Sequence, residues 1–148
     1  MSRRRVVITG MGVVSPVGNT VEEAWNSVKN GKCGVSNITL FDAGRLPVKV
    51  AAEVKDFDIT KYGIDSKATR KMARFSKFCL AASAQAISDS GYTADSLKAE
   101  KMGVMVGNCL GGIEATEAGF NKFCDPSAGP DRLPPSNSAY RLFLGNRD

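Results

Sequence analysis

The sequence predicts an α/β layer arrangement with parallel strands, of which it holds only a part. Two short strand-like runs each pass straight into a glycine turn, the β-branched Val6-Val7-Ile8 before Thr9-Gly10-Met11-Gly12 and Met102-Gly103-Val104-Met105-Val106 before Gly107. Between and after them lie stretches with helical periodicity. Only two or three strands can be counted, and a parallel sheet that small leaves its helices poorly covered.

The first run reads as a buried strand. After it, Thr20-Val21-Glu22-Glu23 forms a capping box, with the Thr20 hydroxyl placed to take the Glu23 amide and the Glu23 carboxylate placed to reach back to Thr20. The helix that follows carries Val21, Ala24, Trp25 and Val28 on one face, and Asn30-Gly31 ends it. Residues 32–65 have a weaker pattern and read as an irregular elaboration: a loop, a strand at Val48 to Val54, and turns around Asp56, Asp58 and Gly63. A long helix is expected from Ser66 to Ser90-Gly91, with Ala68, Met72, Phe75, Cys79, Ala82 and Ala86 in alternating steps of four and three. Its half from Leu80 to Ile87 is alanine-rich on nearly every side and therefore reads as closely packed. Met102 to Val106 is the second interior strand, Gly107 and Gly111-Gly112 bracket a turn, and Ile113 to Phe123 forms a further helix. Four of the six prolines fall at Pro126, Pro130, Pro134 and Pro135, a density that neither a helix nor a central strand survives, so 1–124 and 125–148 read as separate regions.

The chain of 148 residues contains no histidine, which excludes Ser–His–Asp and Cys–His catalysis from its own side chains. Cys33, Cys79, Cys109 and Cys124 show no C-x-x-C pairing, so no metal site is expected. The apolar run behind Arg3-Arg4-Arg5 is too short for a signal peptide and no stretch reaches a membrane span, so the expectation is a cytoplasmic protein with free thiols. Gly10-Met11-Gly12 lacks the third glycine of a dinucleotide fingerprint, since Ser15 stands there before Pro16, and the pair reads as turn glycines. Cys109 sits past a strand near a helix start, where amide dipoles lower a thiol pKa, yet no histidine is available as its base.

Lys67, Arg70, Lys71, Arg74 and Lys77 fall within an arc of about 120° on the long helix, beside an apolar arc of about 80°. The net charge is +5. The basic arc is either a solvated flank or a docking surface for an acidic protein or a phosphate-bearing ligand. Nucleic acid does not fit, because no exposed aromatics are interleaved with the charges.

Arg4-Arg5-Val6-Val7-Ile8-Thr9-Gly10-Met11-Gly12-Val13-Val14-Ser15-Pro16-Val17-Gly18 resembles the opening of the beta-ketoacyl-acyl-carrier-protein synthases, most closely the type II elongating enzymes of bacterial fatty-acid synthesis. Glu23-Ala24-Trp25, Phe41-Asp42, Val54-Lys55-Asp56-Phe57, Arg70-Lys71-Met72, Asp89-Ser90-Gly91 and Leu110-Gly111-Gly112 agree with that family in order, so the resemblance covers about residues 3 to 124. It implies the N-terminal half of a thiolase-type layered fold and, for the complete enzyme, a homodimer. The implied reaction is decarboxylative condensation of a cysteine-held acyl thioester with malonyl-acyl carrier protein, without a dissociable cofactor. The resemblance places Lys67, Arg70 and Lys71 where acyl carrier protein docks, with Arg74 added from the same arc. Leu110 falls at the acyl-pocket gate, with Gly111 and Gly112 letting it swing. The Thr-Ala-Cys-Ser-Ser-like nucleophile motif and both active-site histidines are not in this sequence, and Cys109 is not the nucleophile. Expected is an N-terminal portion inactive alone; the alternative is a non-catalytic module that binds acyl carrier protein.

Overall fold

The computed structural model describes residues 4–99 and 101–124. The Pro-rich segment 125–148 lies outside them. The described residues divide into two compact units, one comprising those up to Met72 with those from Lys77 to Met105, the other Ala73–Ser76 with those from Val106 to Cys124.

In the first unit, α1 spans Val21–Lys29. The Thr20 hydroxyl accepts from the Glu23 amide at 3.2 Å as the capping box requires, but the Glu23 carboxylate reaches past Thr20 and takes the Asn19 amide at 2.8 Å. Asn30 caps the other end, followed by Gly31 at φ 65°. Ahead of the helix, Ser15-Pro16-Val17-Gly18 closes a tight turn through paired backbone hydrogen bonds of 2.9 and 3.2 Å between Ser15 and Gly18.

Strands β1 (Val35–Asn37) and β2 (Val50–Ala52) pair antiparallel with Ser36 opposite Ala51. β2 falls inside the expected 48–54 strand, whereas β1 lies in sequence read as loop. The carboxylate of Glu53, directly after β2, ties off the β1–β2 connection by accepting from the Thr39 amide, the Thr39 hydroxyl at 2.7 Å and the Leu40 amide at 3.2 Å. Glu53 is 8% exposed, and the Thr39 hydroxyl, then the Thr39 amide, hold its carboxyl below the ordinary value because they bond the charged form. The Phe57 ring stacks on Tyr62, which closes a 3-10 turn over Ile59–Tyr62, and meets Phe78 edge-on at 4.8 Å.

Two corrections concern strands. Val6-Val7-Ile8 and Val104-Met105-Val106 are not strands; Val6 is 93% exposed and Met105 98%. A β-branched run becomes a strand only against a neighbour that takes its N–H and C=O groups, and among the described residues neither run has one. The one sheet described is therefore the two-stranded antiparallel pair, not a parallel layer.

The long helix is also interrupted. It forms as α2 (Ser66–Thr69), a non-helical link, and α3 (Arg74–Ser90). The Asp65 carboxylate caps α2 at the Lys67 amide. Thr69, 2% exposed, turns its hydroxyl back onto the carbonyls of Asp65 and Ser66, and the turn tightens through the Arg70 amide to Lys67 and the Met72 amide to Thr69. Such back-bonding competes with the i to i−4 ladder and bends a helix.

α3 organises the first unit. Ala81 is completely buried, and Gly10 and Gly12 lie directly against the helix backbone: a Cβ on Gly12 would overlap the Ala82 carbonyl and one on Gly10 that of Ala86. These glycines serve close approach rather than the turn read for them, since neither has a positive φ. The Asp89 carboxylate accepts from the Met11 amide at 2.9 Å, and the Gln85 side-chain amide donates to the carbonyls of Val13 and Asn19. Asn19 is a hub, since its carbonyl also accepts from the Tyr62 hydroxyl and its side-chain amide donates to the Lys55 carbonyl. A short α4 (Ala94–Ala99), missed in the sequence, starts where Thr93 and Ser96 exchange cap hydrogen bonds.

Candidate functional site

The basic residues no longer share one helical arc. Lys67 is on α2, Arg70 and Lys71 are on the link, and Arg74 and Lys77 are on α3. The break at Thr69 that destroys the arc leaves Lys67, Arg70 and Lys71 exposed together within five residues of the first unit. None of the three forms an ion pair among the described residues, where the one ion pair is Lys98 with Asp95 at 3.9 Å. The three cations give this stretch of the first unit a local positive charge.

In the second unit, Gly107-Asn108-Cys109-Leu110-Gly111-Gly112 forms the turn that leads into α5 (Ile113–Cys124). The Asn108 side-chain carbonyl accepts from the Gly111 amide at 3.0 Å, and Gly112 takes φ 83° with its carbonyl accepting from the Ala115 and Thr116 amides. A Cβ on Gly111 would lie 2.7 Å from the Phe75 ring, and one on Gly112 3.1 Å from it. Gly107 has open space around its Cβ position. Leu110 projects from this turn at 75% exposure. The loop is thus anchored at its downstream end by Phe75.

The remaining residue of the expected docking set, Arg74, opens α3 and belongs to this second unit, where its backbone N–H donates to the Glu114 carboxylate at 2.8 Å. Glu114 and Asn19 were not singled out in the sequence, and Phe75 was read only as one position of the apolar stripe. Their roles depend on partners 40, 66 and 36 positions away, and no local pattern marks such pairs.

Cys33, Cys109 and Cys124 are exposed and Cys79 is half-buried, all as free thiols. Among the described residues no cluster of three or more His, Cys, Asp or Glu side chains has the arrangement of a metal site, and no helix is long and apolar enough to cross a membrane.

Residues 3–133 match the family model described as beta-ketoacyl synthase, N-terminal domain. The chain belongs to the beta-ketoacyl synthase family. It is 43% identical over 91% of its length to 3-oxoacyl-acyl-carrier-protein synthase 2 of Vibrio harveyi, covering 32% of that protein. It is 41% identical over 99% of its length to the protein of the same name from Vibrio cholerae, covering 35% of it. Among solved structures, the ishigamide ketosynthase/chain length factor superposes with a TM-score of 0.74 at 29% identity, over 90% of this chain and 33% of that one. The chain therefore has the N-terminal part of the thiolase-type α/β fold, and it spans about a third of the length of the curated relatives it matches.

Proposed function

We propose that this chain is the carrier-docking and acyl-gating portion of a beta-ketoacyl-acyl-carrier-protein synthase, the enzyme class that condenses an acyl thioester with malonyl-acyl carrier protein in fatty-acid biosynthesis. The observation that carries the reading is the exposed, unpaired group Lys67, Arg70 and Lys71 in a chain whose relatives are named for the acyl carrier protein. Arg74, from the second unit, is the fourth residue proposed to meet the carrier, and Leu110, with Gly111 and Gly112, the acyl gate.

The chemistry divides accordingly. Condensation needs a thiolate to hold the acyl group, a base to form that thiolate and donors to hold the developing oxyanion. This chain supplies no imidazole for either task. Its own contribution is then to collect the carrier by charge, present the thioester and restrict the acyl chain at Leu110. The exposed thiol of Cys109, beside Leu110, has no base of its own and stays unacylated.

A non-catalytic carrier-binding module is the second reading, favoured by the fact that every site residue assigned here binds or gates and none reacts. Both readings require docking, and ionic strength tests it: screening lengths shrink from about 30 Å at 0.01 M salt to about 10 Å at 0.1 M. Binding of acyl carrier protein to this chain is expected to weaken at least tenfold over that range. Salt-independent binding would remove the charge-based docking; incubation with an acyl-carrier thioester that leaves an acyl adduct on Cys109 would remove the division of chemistry.

A further inference from the structure

The start of α3 and the gate loop are joined in a way that the docking and gating roles do not by themselves require. A helix begins with amide N–H groups that have no intrahelical acceptor, and these are ordinarily taken by a Ser, Thr, Asp or Asn side chain just before it. α3 begins at Arg74 behind Ala73, whose carbonyl takes the Ser76 amide at 3.1 Å but whose side chain has no acceptor to give. The missing acceptor comes from 40 residues further on: the Glu114 carboxylate takes the Arg74 N–H at 2.8 Å, the favourable sign of charge for a helix start.

Glu114 is the second residue of α5 and follows directly on the gate glycines. Those glycines press on the next residue of α3, since any Cβ at Gly111 would fall 2.7 Å from the Phe75 ring and at Gly112 3.1 Å from it, with the Ala73 Cβ at 3.9 Å. Residues 73–75 and 111–114 are thus held by a charge-assisted hydrogen bond on one side and a ring contact on the other, all within one compact unit. At the upstream end of the loop a Cβ on Gly107 would meet no atom within 4 Å.

We propose that Glu114 is a positioning residue that couples carrier docking at Arg74 to the placement of Leu110. This rests on the docking and gating roles proposed above. Anything that fixes the first turn of α3 fixes Glu114, and with it the downstream anchor of the loop; Leu110 then turns about Gly107 alone. Without Glu114 the charge-assisted hydrogen bond between the first turn of α3 and α5 is lost, and docking no longer reaches Leu110.

The test is amide hydrogen exchange at Cys109, Leu110 and Gly111 in the 148-residue chain, with and without acyl carrier protein, alongside the carrier affinity of each variant. In the unaltered chain, saturating carrier is expected to slow exchange in the loop about fivefold, the lower end of ordinary coupling between sites. Glu114→Ala abolishes that slowing while carrier affinity stays within about twofold. Glu114→Gln, which keeps an acceptor at the same reach, restores it, and Glu117→Ala, with the same loss of charge on α5, leaves it unchanged. Glu114→Asp keeps the charge but draws the carboxylate back by one methylene; it behaves as Glu114→Ala and reports even where the alanine variant does not fold. Slowing that survives in Glu114→Asp overturns the inference with docking intact, whereas carrier that does not bind the unaltered chain overturns the docking reading itself.

Discussion

Gly12 is where the packing of the first unit is most exposed to a one-atom change. A methyl group added there meets the carbonyl of Ala82 and comes within 2.8 Å of the Gln85 Cβ, so the obstacle is helix backbone and not the end of a flexible side chain. Gly12→Ala therefore has to push residues 10–13 off α3. The displacement stretches the Met11 amide to Asp89 and the Gln85 amide to the Val13 carbonyl, both 2.9 Å. Overpacking of a close contact costs roughly 1–3 kcal/mol, and each weakened hydrogen bond up to about 1 kcal/mol, partly the same displacement counted twice. A loss of about 2 kcal/mol is expected. With an m-value of about 2 kcal/mol/M, the urea midpoint falls by about 1 M at unchanged m. Gly103→Ala is the control: that glycine has no neighbour within 4 Å and no positive φ, so its midpoint stays within about 0.25 M, the equivalent of about 0.5 kcal/mol. Equal midpoints for Gly12→Ala and Gly103→Ala would refute the close approach of residues 10–12 to α3.

Two further outcomes follow from local hydrogen bonding. The Glu53 carboxyl titrates below its ordinary value because Thr39 and Leu40 bond its charged form. A depressed folded value gives stability that is fully present above the unfolded value of about 4.3 and is lost as pH falls through the folded one. Urea midpoints measured from pH 6 downward are expected to decline more steeply for the unaltered chain than for Glu53→Gln, and parallel profiles would show that the β1–β2 connection does not depend on that charge. Thr69→Val keeps the buried volume and removes the hydroxyl that bonds back to Asp65 and Ser66. It is expected to lower stability by about 1 kcal/mol, read as a urea midpoint shift of about 0.5 M; an unchanged midpoint would assign the break between α2 and α3 to something other than Thr69.

What the sequence made legible is what local chemistry decides. The Thr20 cap, the Asn30-Gly31 stop and the start of α5 after Gly112 were each visible because donor, acceptor and glycine lie within four residues of one another. The strand-like runs at 6–8 and 104–106 misled because strand formation is settled by a neighbouring ladder that a run cannot announce. The apolar spacing across 66–90 gave no sign of the break, since Thr69 is compatible with a helix until its hydroxyl finds the Asp65 carbonyl. Within the proposed site, the helical arc of charge singled out Lys67, Arg70 and Lys71, and the family resemblance, not any spacing, pointed to Leu110, Gly111 and Gly112 as a gate. Glu114 was invisible, because its partner Arg74 is chosen by tertiary placement and its own surroundings on α5 look like an ordinary first helical turn.

The claim on which the rest depends is that Arg70 and Lys71 meet an acyl carrier protein. Titration calorimetry of acyl carrier protein into the 148-residue chain and into its Arg70→Glu, Lys71→Glu variant, at 0.02 M salt, measures this directly. Both side chains are exposed on the link between α2 and α3, so the charge reversal leaves the fold and its urea midpoint in place. Reversing two charges at the contact is expected to weaken binding at least a hundredfold, about 2.7 kcal/mol or more. Binding of equal strength to both proteins would contradict the account.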